Sequence, residues 1–105
     1  MSMAPESEAD EILGEDRSLL LVDDDGPFVR RLGRAMETRG FAVALAESIA
    51  EGRAAIRSKP PQYAVIDLRL EDGNGLELIE ALRKVREDTR IVMLTGYGNI
   101  ATAVN

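Results

Sequence analysis

The sequence predicts an α/β fold built on one doubly wound parallel sheet, and three observations carry that expectation. Short aliphatic runs alternate with amphipathic segments of helical period in the order βαβαβαβ. The runs are rich in β-branched and aliphatic residues, a composition suited to strands covered on both faces. Glycine or proline stands at the junctions, at Gly26-Pro27, Gly40, Pro60-Pro61 and Gly75. At 105 residues the chain holds one domain at most.

Taken in order, residues 1–16 are polar, acidic and without period, and read as a disordered lead-in. Ser18–Val22 (SLLLV) is the first strand and runs into Asp23-Asp24-Asp25. Gly26-Pro27 opens a helix at the place where the missing N–H of proline costs nothing. Phe28, Val29, Leu32, Ala35 and Met36 share its apolar face, and Gly40 stops it. Residues 41–46 form a second strand. Ser48 and Glu51 have capping-box spacing and start a helix that buries Ile49, Ala55 and Ile56, ended by Lys59-Pro60-Pro61. A strand over 63–68 precedes the turn Gly73-Asn74-Gly75. A helix then uses Leu78, Ile79, Leu82 and Val85. Residues 91–94 are a fourth strand, and Asn99 is placed to cap a further helix from Ile100.

Composition narrows the chemistry. No cysteine means no disulfide framework and no Cys-based zinc site, and no histidine removes the commonest general base. What remains is carboxylate and hydroxyl chemistry with hard cations. The net charge of −6 is a property of the tail: residues 1–16 hold six acids and no base, whereas 17–105 carry 13 of each sign. No apolar run approaches a membrane span, the N-terminus lacks a secretory start, and no basic footprint appears. A cytoplasmic chain without membrane contact or direct nucleic acid binding is expected.

In open α/β sheets ligand chemistry collects beyond the carboxyl ends of the strands. Those ends carry Asp23 and Asp24 from the first strand, Asp67 from the third and Thr95 from the fourth. Singly, the Asp triplet also suits a solvated helix N-terminus, Thr95 an ordinary strand end and Gly96/Gly98 a turn. Together, at successive strand ends, they form a set. Three converging carboxylates repel unless a cation lies between them, and an all-oxygen donor set suits Mg²⁺. A carboxylate beside such an ion can attack phosphorus to give an acyl phosphate, and a hydroxyl such as that of Thr95 can hydrogen-bond the new phosphoryl group.

The stretches SLLLVDDD, VIDLRLEDGNGLELI and IVMLTGYG resemble the receiver domain of two-component response regulators. With DRSLLLVDDD and LTGYGNIATAV, the resemblance narrows to the redox-responsive RegA/PrrA/ActR group and covers 17–105. It implies a flavodoxin-like (CheY-like) sheet and a phosphorelay role controlling a DNA-binding transcriptional regulator. It also implies Asp67 as phosphoacceptor and Thr95 as switch hydroxyl. Asp24 and Asp67 would bind Mg²⁺ directly, Asp23 largely through water, and the backbone carbonyl of Arg69 would add a ligand. The implied partner is a sensor histidine kinase.

Receivers of this family carry a fifth strand with a phosphoryl-pairing lysine, an aromatic switch residue and a fifth helix, and this group adds a helix-turn-helix domain. The sequence ends at Asn105 before any of these, and its lysines, Lys59 and Lys84, are placed at the opposite edge of the sheet. The expectation is a receiver truncated after its fourth strand. Its bare edge would invite a homodimer, strand exchange, or altered packing near the C-terminus. Two other readings stay open. One is a Mg²⁺-dependent phosphohydrolase with an Asp nucleophile, disfavoured because Arg69 stands where such enzymes usually place a second acid. The other is a non-phosphorylated binding module.

Overall fold

A computed structural model describes residues 16–94 and 100–104. The elements are β1 (Ser18–Val22), α1 (Gly26–Thr38), β2 (Ala42–Ala46), α2 (Ile49–Ser58), β3 (Tyr63–Asp67), β4 (Arg69–Leu70), β5 (Gly73–Asn74), α3 (Leu76–Val85), β6 (Arg90–Leu94) and β7 (Ile100–Val104). The main sheet has the order β2-β1-β3-β6-β7, and its first four strands are parallel. The chain leaves β1 to one side for β2 and returns to the other for β3, so a crevice opens beyond the ends of β1 and β3. The doubly wound α/β sheet expected from the sequence is the observed one.

Two apolar layers flank the sheet. On one face Leu20, Val22, Ala64, Ile66 and Ile91 pack against Ile49 and Ile56 of α2 and Leu78 and Leu82 of α3. On the other, Leu19 and Leu21 meet Val29 of α1, with Leu32, Met36 and Val65 partly buried around them. The alternation of residues along β1 between the two layers is the period of an extended strand. All five of its side chains are buried, which is why its sequence shows no polar alternation.

The capping chemistry is largely as expected. Asp25 is the N-cap of α1, its Oδ1 accepting from Phe28 N–H at 3.1 Å, and Gly40 takes φ 97° just past the helix end. Ser48 Oγ accepts from Glu51 N–H, while the Glu51 carboxylate reaches Glu47 N–H, one residue before the reciprocal partner of a capping box. Two apolar-face residues are corrected. Ala35 is exposed, and Val85 is 57% exposed, because the buried stripe of α3 runs through Leu78 and Leu82 and stops before the last helical residue.

Larger corrections fall at both ends. Asp16, expected in the disordered lead-in, is anchored: its Oδ1 accepts from Ser18 N–H and Oγ, and its Oδ2 meets Arg86 Nη1 at 2.8 Å. The rest of that lead-in, 1–15, lies outside the described residues, as do Thr95 and Asn99. Residues 100–104, expected as the start of a helix, form β7, antiparallel to β6 with a register shift between Met93 and Leu94. The physical reason is the edge. β6 presents a row of unpaired N–H and C=O groups, and a segment containing Ile100, Thr102 and Val104 has the β-branched composition to satisfy them. The expected bare edge is thus covered by the chain's own backbone, and packing near the C-terminus differs from an all-parallel sheet.

Candidate phosphoacceptor site

Register brings the acids together. Val22 pairs with Ile66, so Asp23 and Asp67, each one residue further along parallel strands, lie side by side past the last rung. Asp67 in turn pairs with Leu94. Asp23, Asp24 and Asp67 each place a carboxylate oxygen within 4.8 Å of the others. Asp23 and Asp67 are 8% and 5% exposed, while Asp24 is the most open of the three. A cleft of about 360 Å³ opens onto them, lined also by Asp25, Phe28, Arg69 and Leu94.

Local hydrogen bonds fix how these side chains point. Asp23 N–H donates to the Ala46 carbonyl at 3.1 Å, holding the end of β1 to β2, and Asp23 Oδ1 accepts from Asp25 N–H at 2.9 Å. Asp67 Oδ1 accepts from Arg69 N–H at 3.0 Å, and Leu68 N–H donates to the Leu94 carbonyl. After Asp67 the chain forms a tight β4–β5 hairpin, pairing Arg69 with Asn74 and Leu70 with Gly73. The sequence placed only a turn there, because two-residue strands carry no readable period. Gly75 N–H closes the hairpin onto the Leu68 carbonyl.

Burial raises the Asp23 carboxyl above its ordinary range, the Asp25 N–H opposes that rise, and the Asp67, Asp24 and Asp25 charges add to it. Buried like charges of this kind are unfavourable until a cation or proton offsets them. Donor set and crowding fit a hard divalent ion: all donors are oxygen, two carboxylates are buried and one is open to water.

Of the sequence-predicted residues, the structure gathers Asp23, Asp24 and Asp67 and sets Arg69 on the cleft wall; Thr95, next after Leu94, lies outside the described residues. Asp25 and Phe28 were not singled out for the site. The Asp25-x-x-Phe28 cap spacing was the available signal, since it bends the chain so that both line the cleft.

Comparison with known proteins agrees with this arrangement. The family described as the response regulator receiver domain matches residues 19–105. The chain belongs to the response regulator receiver family. It is 65% identical over 95 residues to the acid tolerance regulatory protein ActR of Rhizobium meliloti, covering 90% of this chain and 49% of that protein. Identity to the photosynthetic apparatus regulatory protein RegA of Cereibacter sphaeroides is 66% over 92 residues, covering 88% of this chain and 50% of that one. The chain therefore spans about half the length of the curated relatives it matches. Among solved structures, a response regulator from Burkholderia pseudomallei, with a phosphorylated aspartic acid, a calcium ion and citrate, superposes with a TM-score of 0.74 at 36% identity, over 82% of this chain and 51% of that one. A receiver domain from Methanospirillum hungatei also gives 0.74, at 32% identity, over 81% of this chain and 68% of that one. This chain is accordingly a response regulator receiver, a signalling module. Among the described residues no helix is long and apolar enough to cross a membrane.

Proposed function

We propose that this receiver takes a phosphoryl group from a sensor histidine kinase onto Asp67, with Mg²⁺ held by Asp24, Asp67 and the Arg69 carbonyl and, through water, by Asp23. The observation that carries the reading is the convergence of three carboxylates within 4.8 Å at the mouth of β1 and β3. A carboxylate oxygen of Asp67 bonds to the phosphorus of a phosphohistidine as the P–N bond breaks. The imidazole leaves with the bonding pair and takes up a proton. Arg69 N–H orients the accepting carboxylate, and the Asp25 N–H holds Asp23 beside it. The chemistry the ion supplies when bound is neutralisation of charge on the transferring oxygens. Thr95, immediately after β6, is the hydroxyl that would hydrogen-bond the product.

In this reading 1–16 is an acidic lead-in and 17–105 is the receiver part of a longer cytoplasmic transcriptional regulator. Its relationship to ActR and RegA supports that assignment, including redox-linked signalling by the group. The chain acts as a stoichiometric acceptor and not as a turnover enzyme, since Arg69 replaces the second acid a phosphohydrolase would use. DNA binding falls to another domain. Self-association, as a homodimer or by exchange of β7, follows from an edge strand joined through a short connection. Incubation with phosphoramidate, a P–N donor, tests the core of the proposal: a Mg²⁺-dependent acyl phosphate signal in ³¹P NMR is expected, and its absence at saturating Mg²⁺ contradicts it.

A further inference from the structure

Asp72 reaches across the fold to a helix it does not belong to. Its Oδ1 accepts from Ile49 N–H at 2.9 Å and its Oδ2 from Ala50 N–H at 3.2 Å, although 23 residues separate Asp72 from Ile49. The start of α2 already has its own cap, since Ser48 Oγ accepts from Glu51 N–H. The two caps take different donors, so Asp72 fills sites Ser48 leaves open. The donors at Ile49 and Ala50 hold its carboxyl below the ordinary range.

What this carboxylate secures is the β4–β5 hairpin. Asp72 sits at its tip, between Leu70 and Gly73, which pair with each other. At the hairpin's base, Arg69 N–H holds Asp67 Oδ1, and Gly75 N–H holds the Leu68 carbonyl. Gly73, at φ 152°, lets the hairpin lie against Ile49, whose Cγ1 would be 3.4 Å from an added Cβ. The hairpin is thus tied at one end to the acid cluster and at the other to α2.

We propose that Asp72 is a positioning residue for the acid site: by clamping the hairpin tip to the first turn of α2, it fixes Arg69 and Asp67 in the geometry that receives a divalent cation. This rests on the metal reading above. Groups that orient ligands typically change metal affinity by about 10–100-fold when removed.

Binding of Mn²⁺ to the full chain, followed by electron paramagnetic resonance, tests it alongside urea unfolding. Asp72→Ala is expected to raise the Mn²⁺ dissociation constant on the order of tenfold. Asp72→Asn, which keeps one acceptor oxygen, is expected to restore much of the affinity. Ser48→Ala, which removes a cap from the same helix without touching the hairpin, is expected to lower stability and leave Mn²⁺ affinity unchanged. An unchanged affinity in Asp72→Ala overturns the inference alone, as does an equal loss in Ser48→Ala, which would make helix stability the cause. Failure of the unaltered chain to bind Mn²⁺ overturns the metal reading and this inference together.

Discussion

A Cβ on Gly75 would lie 2.3 Å from the backbone carbonyl oxygen of Asp67 and 2.9 Å from Cγ2 of Ile66. The first turn of α3 is therefore pressed directly against the backbone of the accepting residue. Only the absence of a side chain allows that approach, because the nearest atom is backbone and cannot rotate away. Gly75→Ala is expected to destabilise the chain by about 1–3 kcal/mol, the usual scale for forced overpacking. It should also weaken Mg²⁺ binding, since relief of the clash moves Asp67. Urea unfolding and a Mg²⁺ titration on the same sample check both effects.

Asp16 and Arg86 supply a pH-dependent tie at the opposite edge of the sheet. The Asp16 carboxyl is lowered from 3.8 to about 2, first by the Ser18 hydroxyl, then by the Ser18 N–H and by Arg86. Arg86 also donates to the Pro60 carbonyl and meets Asp88, so the pair joins the start of β1 to the loops before β3 and β6. A carboxyl lowered on folding contributes stability above its unfolded value, and that contribution disappears as pH falls through its folded value. The Asp16 side chain is 40% exposed, which limits the contribution to at most about 1 kcal/mol. Asp16→Ala should therefore be less stable than the unaltered chain at pH 7. The gap should close between about pH 4 and pH 2, as thermal unfolding across that range will show.

Much of this molecule was legible in the sequence, for a physical reason. Strands buried on both faces must be apolar throughout, so SLLLV and AVI announced themselves, and Gly, Pro and Ser marked the helix ends by their backbone chemistry. Asp23, Asp24 and Asp67 were readable because a carboxylate ending an apolar run demands an explanation. Asp72 was not, because its partners lie 23 and 22 residues away and an exposed acid in a turn looks ordinary until the hairpin is folded against α2. The segment 100–104 was misread as helical because Asn99 has good capping chemistry. An open edge at β6 outweighs that local preference, and edge pairing is a tertiary effect that no window of sequence contains.

Asp23 carries the strain of the empty acid cluster. Its carboxyl is raised chiefly by burial, so the charged form is disfavoured in the folded chain. Asp23→Asn keeps an oxygen for the Asp25 N–H and removes one of three crowded charges. Without divalent ions at pH 7 the variant should be more stable than the unaltered chain, on the order of 1 kcal/mol at low ionic strength. Saturating Mg²⁺ should reverse the order, because the unaltered chain gains binding energy that the variant gives up. Melting temperatures with and without Mg²⁺ measure this directly.

The central claim is that Asp67 accepts phosphoryl groups in this chain, and intact mass after incubation with acetyl phosphate and Mg²⁺ tests it most directly. The expected result is one added phosphoryl group on the unaltered chain, lost when Mg²⁺ is chelated and absent in Asp67→Asn. An unmodified mass for the unaltered chain, or an adduct that persists in Asp67→Asn, would contradict the account.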